Sequence, residues 1–432
     1  MEEDVSHAEA QQYKEGESAG LLAFYRGMTV PERRTFWGCA VGWTLDGMDV
    51  LMFPLILGTI MTLWKVDAGQ AGLAATITLV TSAVGGWIAG LLSDRIGRVK
   101  TLQLTIVWFS FFSLVCAFAQ NFNQLIVARA LLGLGFGGEW ATGAVLMGEV
   151  IRARYRGRAV GCVQSGYAVG WGLAVLSQMA MYSLFSPAEA WRWMLAIGAV
   201  PALLVLYVRR YVEEPAVSRQ SRARMAAQGS HPKFWEIFGR SHIRTTVTAS
   251  LVTTGGLGGN YAIMTWLPHY LATERHVAVN ASSGYLGALI FGSFIGYLAG
   301  AYLADAIGRR KLFLAFSAGA MLIVFCYTLI PLSGPVLWVL GFPLGFLAFG
   351  YFSGMGAFLT EMYPTRLRGS GQGFCYNFGR GAGALCPWLV GQLAPKLGFS
   401  TSIALFSIGA YALFFVGTLF LPETAGKELM AD

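Results

Sequence analysis

Five ionisable side chains stand inside otherwise apolar stretches of the sequence: Asp46, Asp49, Arg129, Glu139 and Arg380. The spacing of three between Asp46 and Asp49 places both carboxylates on one face of a helix. Two neighbouring carboxylates can share one proton, because ionisation of the second is opposed by the first. Arg380 has the geometry to hold a carboxylate through two parallel hydrogen bonds. The chemistry that these residues favour is reversible proton binding near an anion site.

The chain around these residues has the composition of a membrane protein. It contains 432 residues, of which 55% are hydrophobic and 12% are charged, whereas soluble domains average about 25% charged residues. An ionisable group at membrane depth costs about 2.5–3.5 kcal/mol on insertion scales, so each is a functional candidate. We find no metal cluster, nucleophile elbow or phosphate loop, and therefore predict neither an enzyme nor a cofactor.

Twelve apolar runs are long enough to cross a bilayer, whose hydrocarbon core takes about twenty helical residues. They lie near 36–63, 69–93, 99–119, 123–150, 157–182, 190–211, 242–271, 282–305, 310–330, 335–362, 368–395 and 399–421. The sequence predicts an all-α integral membrane protein whose twelve transmembrane helices form two pseudo-symmetric six-helix bundles. The predicted units are an N-terminal segment at 1–35, bundles at 36–211 and 242–421, a linker at 212–241 and a tail at 422–432.

The basic residues predict which side of the membrane each loop occupies. Arginine and lysine concentrate after the second, fourth, sixth, eighth and tenth runs, and the other loops contain only isolated bases. Basic loops stay in the cytoplasm, so both termini and the linker are predicted to be cytoplasmic. We expect a monomer in a bacterial inner membrane. The net charge of +8 follows from this bias, and dispersed bases of this kind do not form a nucleic-acid patch.

Loop segments repeat at an offset close to half the chain. The repeats are 149–157 and 361–369, 94–98 and 305–309, and 212–214 and 422–424, with offsets of 361 − 149 = 212, 305 − 94 = 211 and 422 − 212 = 210. Three matches at nearly one offset indicate a tandem duplication, which in an apolar chain is typical of a transporter. We interpret the repeated charges as a gating latch, with loops that only fix topology as the alternative. The predicted gating residues are Asp94, Arg95, Arg98, Glu149, Arg156, Asp305, Arg309, Glu361 and Arg368.

The loop at 90–100, with Asp94-Arg95-Ile96-Gly97-Arg98 at its centre, closely resembles a signature of the major facilitator superfamily. The resemblance covers essentially the whole chain, and the glycine pattern after Arg129 is similar to the family's fourth helix. The segment 149–157 and its repeat resemble the charge relay of the sugar and organic-acid branches. The second loop has Ala306 where an arginine is usual, which implies a weaker latch. The resemblance implies two bundles, a central cavity and alternating access.

Two shorter segments resemble particular branches of that superfamily. Asp46-Gly47-Met48-Asp49 is similar to the Asp-Gly-x-Asp motif of aromatic-acid:proton symporters, and Gly138-Glu139-Trp140-Ala141 resembles the sialate and lactate:proton symporters. Asp49 also matches the helix 1 aspartate of proton-coupled sugar porters, which works with a helix 4 arginine, here Arg129. The resemblance implies that Asp49 carries the proton, with a static ion pair as the alternative. The predicted proton-coupling residues are Asp46, Asp49, Arg129 and Glu139.

The duplication separates the membrane charges from the repeated scaffold, since a shift of 212 residues places an uncharged residue opposite each of the five. We therefore predict a secondary active transporter that imports a small carboxylate with protons by alternating access. The predicted substrate residues are Arg380, Asn377, Tyr376, Gln164, Tyr167, Asn260, Tyr261 and Tyr351. An ion pair of Arg380 with Glu139 or Asp46 is the structural alternative. Lactate or pyruvate, sialic acid and aromatic acids stay open as substrates, and a facilitator, antiporter or drug exporter is the alternative function.

Overall fold

A computed structural model describes residues 23–151, 156–214, 234–277, 279–363 and 365–424. Within these ranges the backbone alone is described at 23, 91, 94, 95, 140, 141, 144, 145, 148, 149, 156, 157, 206, 209, 234, 279–283, 365, 366, 368 and 369. The predicted gating side chains of Asp94, Arg95, Glu149, Arg156 and Arg368 therefore lie outside the described part of the protein.

Twelve helical spans follow one another along the chain. They are α1 (Val30–Trp64), α2 (Ala68–Ile96), α3 (Arg98–Ala117), α4 (Phe122–Val150), α5 (Arg156–Leu184), α6 (Pro187–Ile197, continued by Val200–Leu203 and Leu204–Tyr211), α7 (Ile243–Thr273), α8 (Val279–Ile307), α9 (Arg309–Leu329), α10 (Gly334–Phe349 and Phe352–Glu361), α11 (Thr365–Gly383 and Leu385–Leu397) and α12 (Phe399–Leu419). Two short helices, Ala23–Arg26 and Phe234–Phe238, precede α1 and α7. The predicted all-α class is confirmed.

The first helix begins earlier than its apolar run predicts. Thr29 and Glu32 form a capping box, in which the Glu32 carboxylate accepts a hydrogen bond from Thr29 N at 2.6 Å and Thr29 Oγ1 accepts one from Glu32 N at 3.4 Å. Such a box satisfies amide donors that a helix start otherwise leaves free. A polar extension of α1 therefore becomes helical, and α1 begins at Val30 rather than at residue 36.

Eight of the described spans are long and apolar enough to cross a membrane by length and composition alone: α1, α2, α3, α5, α8, α9, α10 and α12. The four other spans are α4, which contains the buried charges Arg129 and Glu139, α6 and α11, which are each broken into shorter segments, and α7, which is rich in threonine and glycine.

Glycines let two equivalent helix pairs pack backbone against backbone. A Cβ atom added to Gly137 of α4 would overlap the carbonyl oxygen of Ser82 on α2. In the second half, a Cβ on Gly345 of α10 would overlap the carbonyl oxygen of Leu289 on α8. Small residues permit such close approach between membrane helices. The duplication seen in the loops is therefore also present in the packing.

The two halves meet along a seam that α1, α2, α4 and α5 form with α7, α8, α10 and α11. We call the end of the bundle where α2 joins α3 and α8 joins α9 the basic end. Near this end Trp87 of α2 stacks on Phe374 of α11, with ring centres 5.7 Å apart. Towards the opposite end, Thr76 of α2 donates a hydrogen bond to the carbonyl oxygen of Ala384 at 2.7 Å. Ala384 lies at the break in α11, so this bond satisfies a carbonyl that the interrupted helix leaves free.

Candidate functional site

Two carboxyl groups face each other inside the bundle, where they approach the seam. Asp46 of α1 and Glu139 of α4 are 0% and 4% exposed, and their carboxyl groups lie close enough to interact electrostatically. Glu139 reaches α1 at a glycine, because a Cβ on Gly42 would lie 2.6 Å from Glu139 Oε1. Neither oxygen of Asp46 receives a hydrogen bond from a donor among the described residues. Two buried carboxyl groups that lie side by side can share a proton, so this pair is a candidate proton-binding site.

A guanidinium completes this cluster from the other half of the protein. Arg380 of α11 is 1% exposed and interacts electrostatically with Asp46. Its Cζ atom lies 4.9 Å from the ring centre of Phe136 on α4 and 5.1 Å from that of Tyr376. Contacts of this kind hold a cation over aromatic faces without using its N–H donors. Nε and Nη1 of Arg380 are buried and have no acceptor among the described residues, so the guanidinium has N–H donors available on two of its edges.

Three tyrosines of the predicted substrate set surround this guanidinium. Tyr261 of α7 and Tyr376 of α11 interact with Arg380 through their hydroxyl groups. Tyr167 of α5 interacts with both Arg380 and Asp46, and its ring lies 5.3 Å from that of Trp43. The structure therefore gathers these tyrosines around the charged cluster. We call Asp46, Glu139, Arg380, Tyr167, Tyr261 and Tyr376 the seam site.

The other predicted substrate residues lie near the seam site but have different roles. The hydroxyl of Tyr351 donates to the carbonyl oxygen of Gly256 at 2.7 Å, and Asn260 donates to the carbonyl oxygen of Ala348 at 3.5 Å. Both bonds lie around the break in α10. Asn377 packs against α2, since a Cβ on Gly86 would collide with its amide group. Gln164 lines a cavity beside Glu139.

Asp49 and Arg129 occupy a separate site within the first half. Asp49 accepts a hydrogen bond from Ser113 of α3. Nε of Arg129 donates to Thr78 Oγ1 at 3.1 Å, and its Cζ lies 3.8 Å from the ring centre of Phe53. Asp49 and Arg129 interact electrostatically, as their resemblance to sugar porters implies. Their charges are balanced without a group from the second half.

The expected pairing of Asp46 with Asp49 is corrected by these contacts. The carboxyl of Asp46 meets Glu139 on α4, whereas the carboxyl of Asp49 meets Ser113 on α3. A helix turns roughly 100° per residue, so side chains three apart still diverge by roughly 60°. At this point on α1, that divergence is enough to direct the two acids at different neighbouring helices.

Charged residues connect the two halves at the basic end. Asp305 forms an ion pair with Arg309 at 2.9 Å, and Arg309 forms a second one with Glu361 at 3.2 Å. Arg158 of α5 lies 3.9 Å from Asp305 across the seam, with its Cζ 5.2 Å from the ring centre of Tyr302. Arg158 is not among the predicted gating residues, although its place directly after the repeated Arg-Gly segment is a usable signal.

Two glutamates cap the helices that follow the repeated loops. Glu214 accepts hydrogen bonds from Arg98 N at 2.8 Å and Val99 N at 3.0 Å. Glu423 accepts the equivalent bonds from Arg309 N at 2.9 Å and Arg310 N at 3.1 Å. A carboxylate at a helix N-terminus is stabilised by the helix dipole. The weak repeat at 212–214 and 422–424 contained this signal, but the structural equivalents have an offset of 423 − 214 = 209.

A twelve-helix membrane bundle with a buried charged site between two repeated halves has the architecture of a secondary transporter. Residues 39–387 and 287–429 match the Major Facilitator Superfamily, and the chain belongs to that family. It is 41% identical, over 94% of both chains, to a probable 4-methylmuconolactone transporter of Cupriavidus pinatubonensis. It is 29% identical to the cis,cis-muconate transport protein of Acinetobacter baylyi, over 90% of this chain and 92% of that one. The solved structure of the proton:xylose symporter XylE shares the fold, with a TM-score of 0.72 at 16% identity over 92% of this chain and 98% of that one.

These matches confirm the resemblance to the major facilitator superfamily and the prediction that the protein is not an enzyme. The protein is a membrane transporter of that superfamily.

Proposed function

We propose that the protein imports a small organic acid with protons and that the substrate carboxylate binds Arg380. One observation carries this proposal: the buried guanidinium has unused donors beside two buried carboxyl groups, Asp46 and Glu139. In this proposal a monomer in the bacterial inner membrane has its basic end in the cytoplasm, in accordance with its basic loops. The six-helix units at 36–211 and 242–421 move relative to each other, opening the seam site to one side at a time.

The substrate class that we favour is a small, flat, unsaturated acid. The rings of Phe136, Tyr376 and Tyr167 lie around Arg380, and aromatic faces favour planar, polarisable groups over hydrated ones. Two related transporters are named for 4-methylmuconolactone and cis,cis-muconate, which are small acids containing carbon–carbon double bonds. Sialic acid is bulky and rich in hydroxyl groups, so these rings suit it less well.

Charge balance in the seam site explains how the proton and the anion are coupled. With one proton shared between Asp46 and Glu139, the pair has a charge of −1, which the +1 of Arg380 cancels. A bound monoanion returns the site to −1, and a second proton on the pair restores neutrality. Since net charge is costly at membrane depth, the anion and the second proton favour each other's binding. The proposed stoichiometry is one proton for each negative charge on the substrate.

Transport by purified protein in sealed vesicles tests this function. The panel contains radiolabelled cis,cis-muconate, 4-methylmuconolactone, 4-hydroxybenzoate, lactate and sialic acid. We expect a pH gradient, acid outside, to drive uphill uptake of an unsaturated acid, and an uncoupler to abolish it. A monoanion should accumulate independently of a membrane potential that valinomycin and potassium impose. A wild-type protein that accumulates none of these acids, or ignores the pH gradient, overturns the proposal.

Two isosteric variants test the proton-binding pair directly. Asp46→Asn and Glu139→Gln remove the ionisable groups and retain most of the volume of the side chains. We expect both variants to lose uphill accumulation, while exchange of external for internal substrate continues, because exchange requires no proton release. Uphill accumulation at the wild-type level by both variants would exclude the pair as the proton site.

A further inference from the structure

A small cavity lies directly beside Glu139, on the side towards the basic end. Its volume is about 30 Å³, and its walls come from α1, α3, α4 and α5 of the first half, with Gly356 of α10 as its boundary towards the second half. A water molecule needs about 10–15 Å³ of such space, so the cavity has room for about two. The cavity is therefore large enough for a short water chain and too small for an organic acid.

The cavity covers much of the distance between the proton-binding pair and the basic end. Glu139, Gly143 and Met147 of α4 line it, and α4 ends at Val150. At about 1.5 Å per residue, these three positions lie roughly 16, 10 and 5 Å from the end of α4. The remaining barrier between the cavity and the basic end is therefore about one helical turn.

Polar groups are present along the cavity. Gln164 of α5 is on its wall with Glu139, and the Sγ atom of Cys39 donates to the carbonyl oxygen of Gly143 at 3.6 Å. Among the described residues, the titratable groups that face Glu139 are Asp46 and Cys39 on α1, and Arg380 of α11 acts on it through Asp46. A carboxyl at one end and an amide on the wall are partners that ordered water requires.

We propose that this cavity is the route by which the transported proton leaves Glu139 for the basic end, separate from the path of the substrate along the seam. The inference rests on the proposed proton coupling. A proton passes from the Glu139 carboxyl to water in the cavity, leaving a carboxylate, and continues as hydronium to the basic end when the second half, with Gly356, moves away. The anion leaves Arg380 on the other side of Asp46, so the two products do not obstruct each other.

Gly143 offers a direct test, because side chains at this position fill the cavity. A Cβ atom built on Gly143 meets no described atom within 4 Å, and alanine or valine is better than glycine at holding a helix. We expect Gly143→Ala to slow uphill accumulation about twofold and Gly143→Val at least tenfold. The dissociation constant of the acid and the rate of substrate exchange should both stay within about twofold of the wild-type values.

Gly409→Val is the matched control. Gly409 is an exposed glycine of α12 where an added Cβ also meets no described atom, so we expect wild-type accumulation. A second variant, Gln164→Leu, removes the amide without adding bulk to the cavity, and it should also slow accumulation more than exchange. Wild-type accumulation by Gly143→Val overturns the proposed route, as does an equal loss of accumulation and exchange. Failure of the proposed function itself is distinguishable, because the wild-type protein would then show no accumulation driven by a pH gradient.

Discussion

Replacement of Arg380 tests the substrate assignment most sharply. The guanidinium is buried between Phe136 and Tyr376, with Nε and Nη1 unused among the described residues. Truncation of one partner of a buried charge pair costs roughly 2–5 kcal/mol, and each 1.4 kcal/mol is tenfold in affinity. We therefore expect Arg380→Gln to weaken binding of the acid by between about 30-fold and a few thousand-fold. Arg380→Lys retains the charge but loses the planar guanidinium and a charged hydrogen bond, and a loss of roughly 1.5–3 kcal/mol corresponds to about 10- to 150-fold.

The assay is equilibrium binding of the radiolabelled acid to purified protein, with the thermal unfolding midpoint without ligand as a check of folding. Arg192→Lys is the matched control, because Arg192 likewise lies over an aromatic ring, with its Cζ 4.3 Å from the ring centre of Trp191, but it donates to Ala117 O at 2.8 Å and Ala119 O at 2.6 Å away from the seam site. We expect this control to bind the acid with wild-type affinity. Binding by a folded Arg380→Gln variant within about threefold of the wild-type affinity would refute the assignment of Arg380.

Arg380→Gln should also change how binding of the acid depends on pH. Under the proposed coupling, the anion binds the wild-type protein together with a proton, so its affinity should rise as pH falls, by up to about tenfold per pH unit above the titration of the pair. Without the guanidinium, neutrality of the empty site requires both Asp46 and Glu139 to be protonated. The anion then brings no further proton, and the residual affinity of Arg380→Gln should be nearly independent of pH. An unchanged slope would show that Arg380 and the pair are not coupled.

Four further substitutions distinguish residues that stabilise the fold from residues that take part in transport. Asp49→Asn should retain accumulation driven by a pH gradient and lower the unfolding temperature, because it leaves the buried charge of Arg129 unbalanced at a cost of roughly 3–5 kcal/mol. A stable Asp49→Asn variant without uphill transport would instead show that Asp49 carries the transported proton. Arg158→Gln should increase the cysteine-labelling rate at the basic end by no more than about fivefold, since its ion pair with Asp305 is half-exposed and worth roughly 0–1 kcal/mol. Glu423→Gln should destabilise the protein by roughly 0.3–1 kcal/mol at a helix N-terminus, seen as a small fall in the unfolding midpoint. Gly137→Ala should cost roughly 1–3 kcal/mol through overpacking, and an unchanged midpoint would contradict the close helix contact.

The twelve helices were predictable because lipid leaves the backbone few alternatives. A chain in hydrocarbon must satisfy its amide groups internally, so an apolar run of sufficient length predicts a helix. The interruptions were harder to predict. The chain of α11 breaks around Ala384, where a threonine from another helix supplies the missing donor. No local pattern contains that information, because the compensating group is 308 residues away in the sequence.

The members of the candidate site were predictable, but their partners were not. The free-energy cost of placing a charge at membrane depth identified Asp46, Asp49 and Glu139 one by one, since each stands in an apolar run. Helical periodicity gives the angle between Asp46 and Asp49 but does not determine which neighbouring helix lies at each angle. The pairing of Asp46 with Glu139 depends on how α4 packs against α1. That packing is a tertiary property, and spacing within one helix suggested the wrong partner for Asp46.

The asymmetry of the membrane charges has a mechanistic reason under the proposed function. The proton-binding groups, Asp46 and Glu139, belong to the first half, and the cation for the substrate, Arg380, belongs to the second. If the proton-binding pair and Arg380 were on the same half, they would stay together in every conformation. Binding of the anion and the proton would then have no effect on whether the two halves close. Groups on opposite halves compensate each other only while the seam holds them together. Charge balance then favours closure around a site that is fully loaded or fully empty and penalises a half-loaded one, which is the condition that obligatory coupling requires.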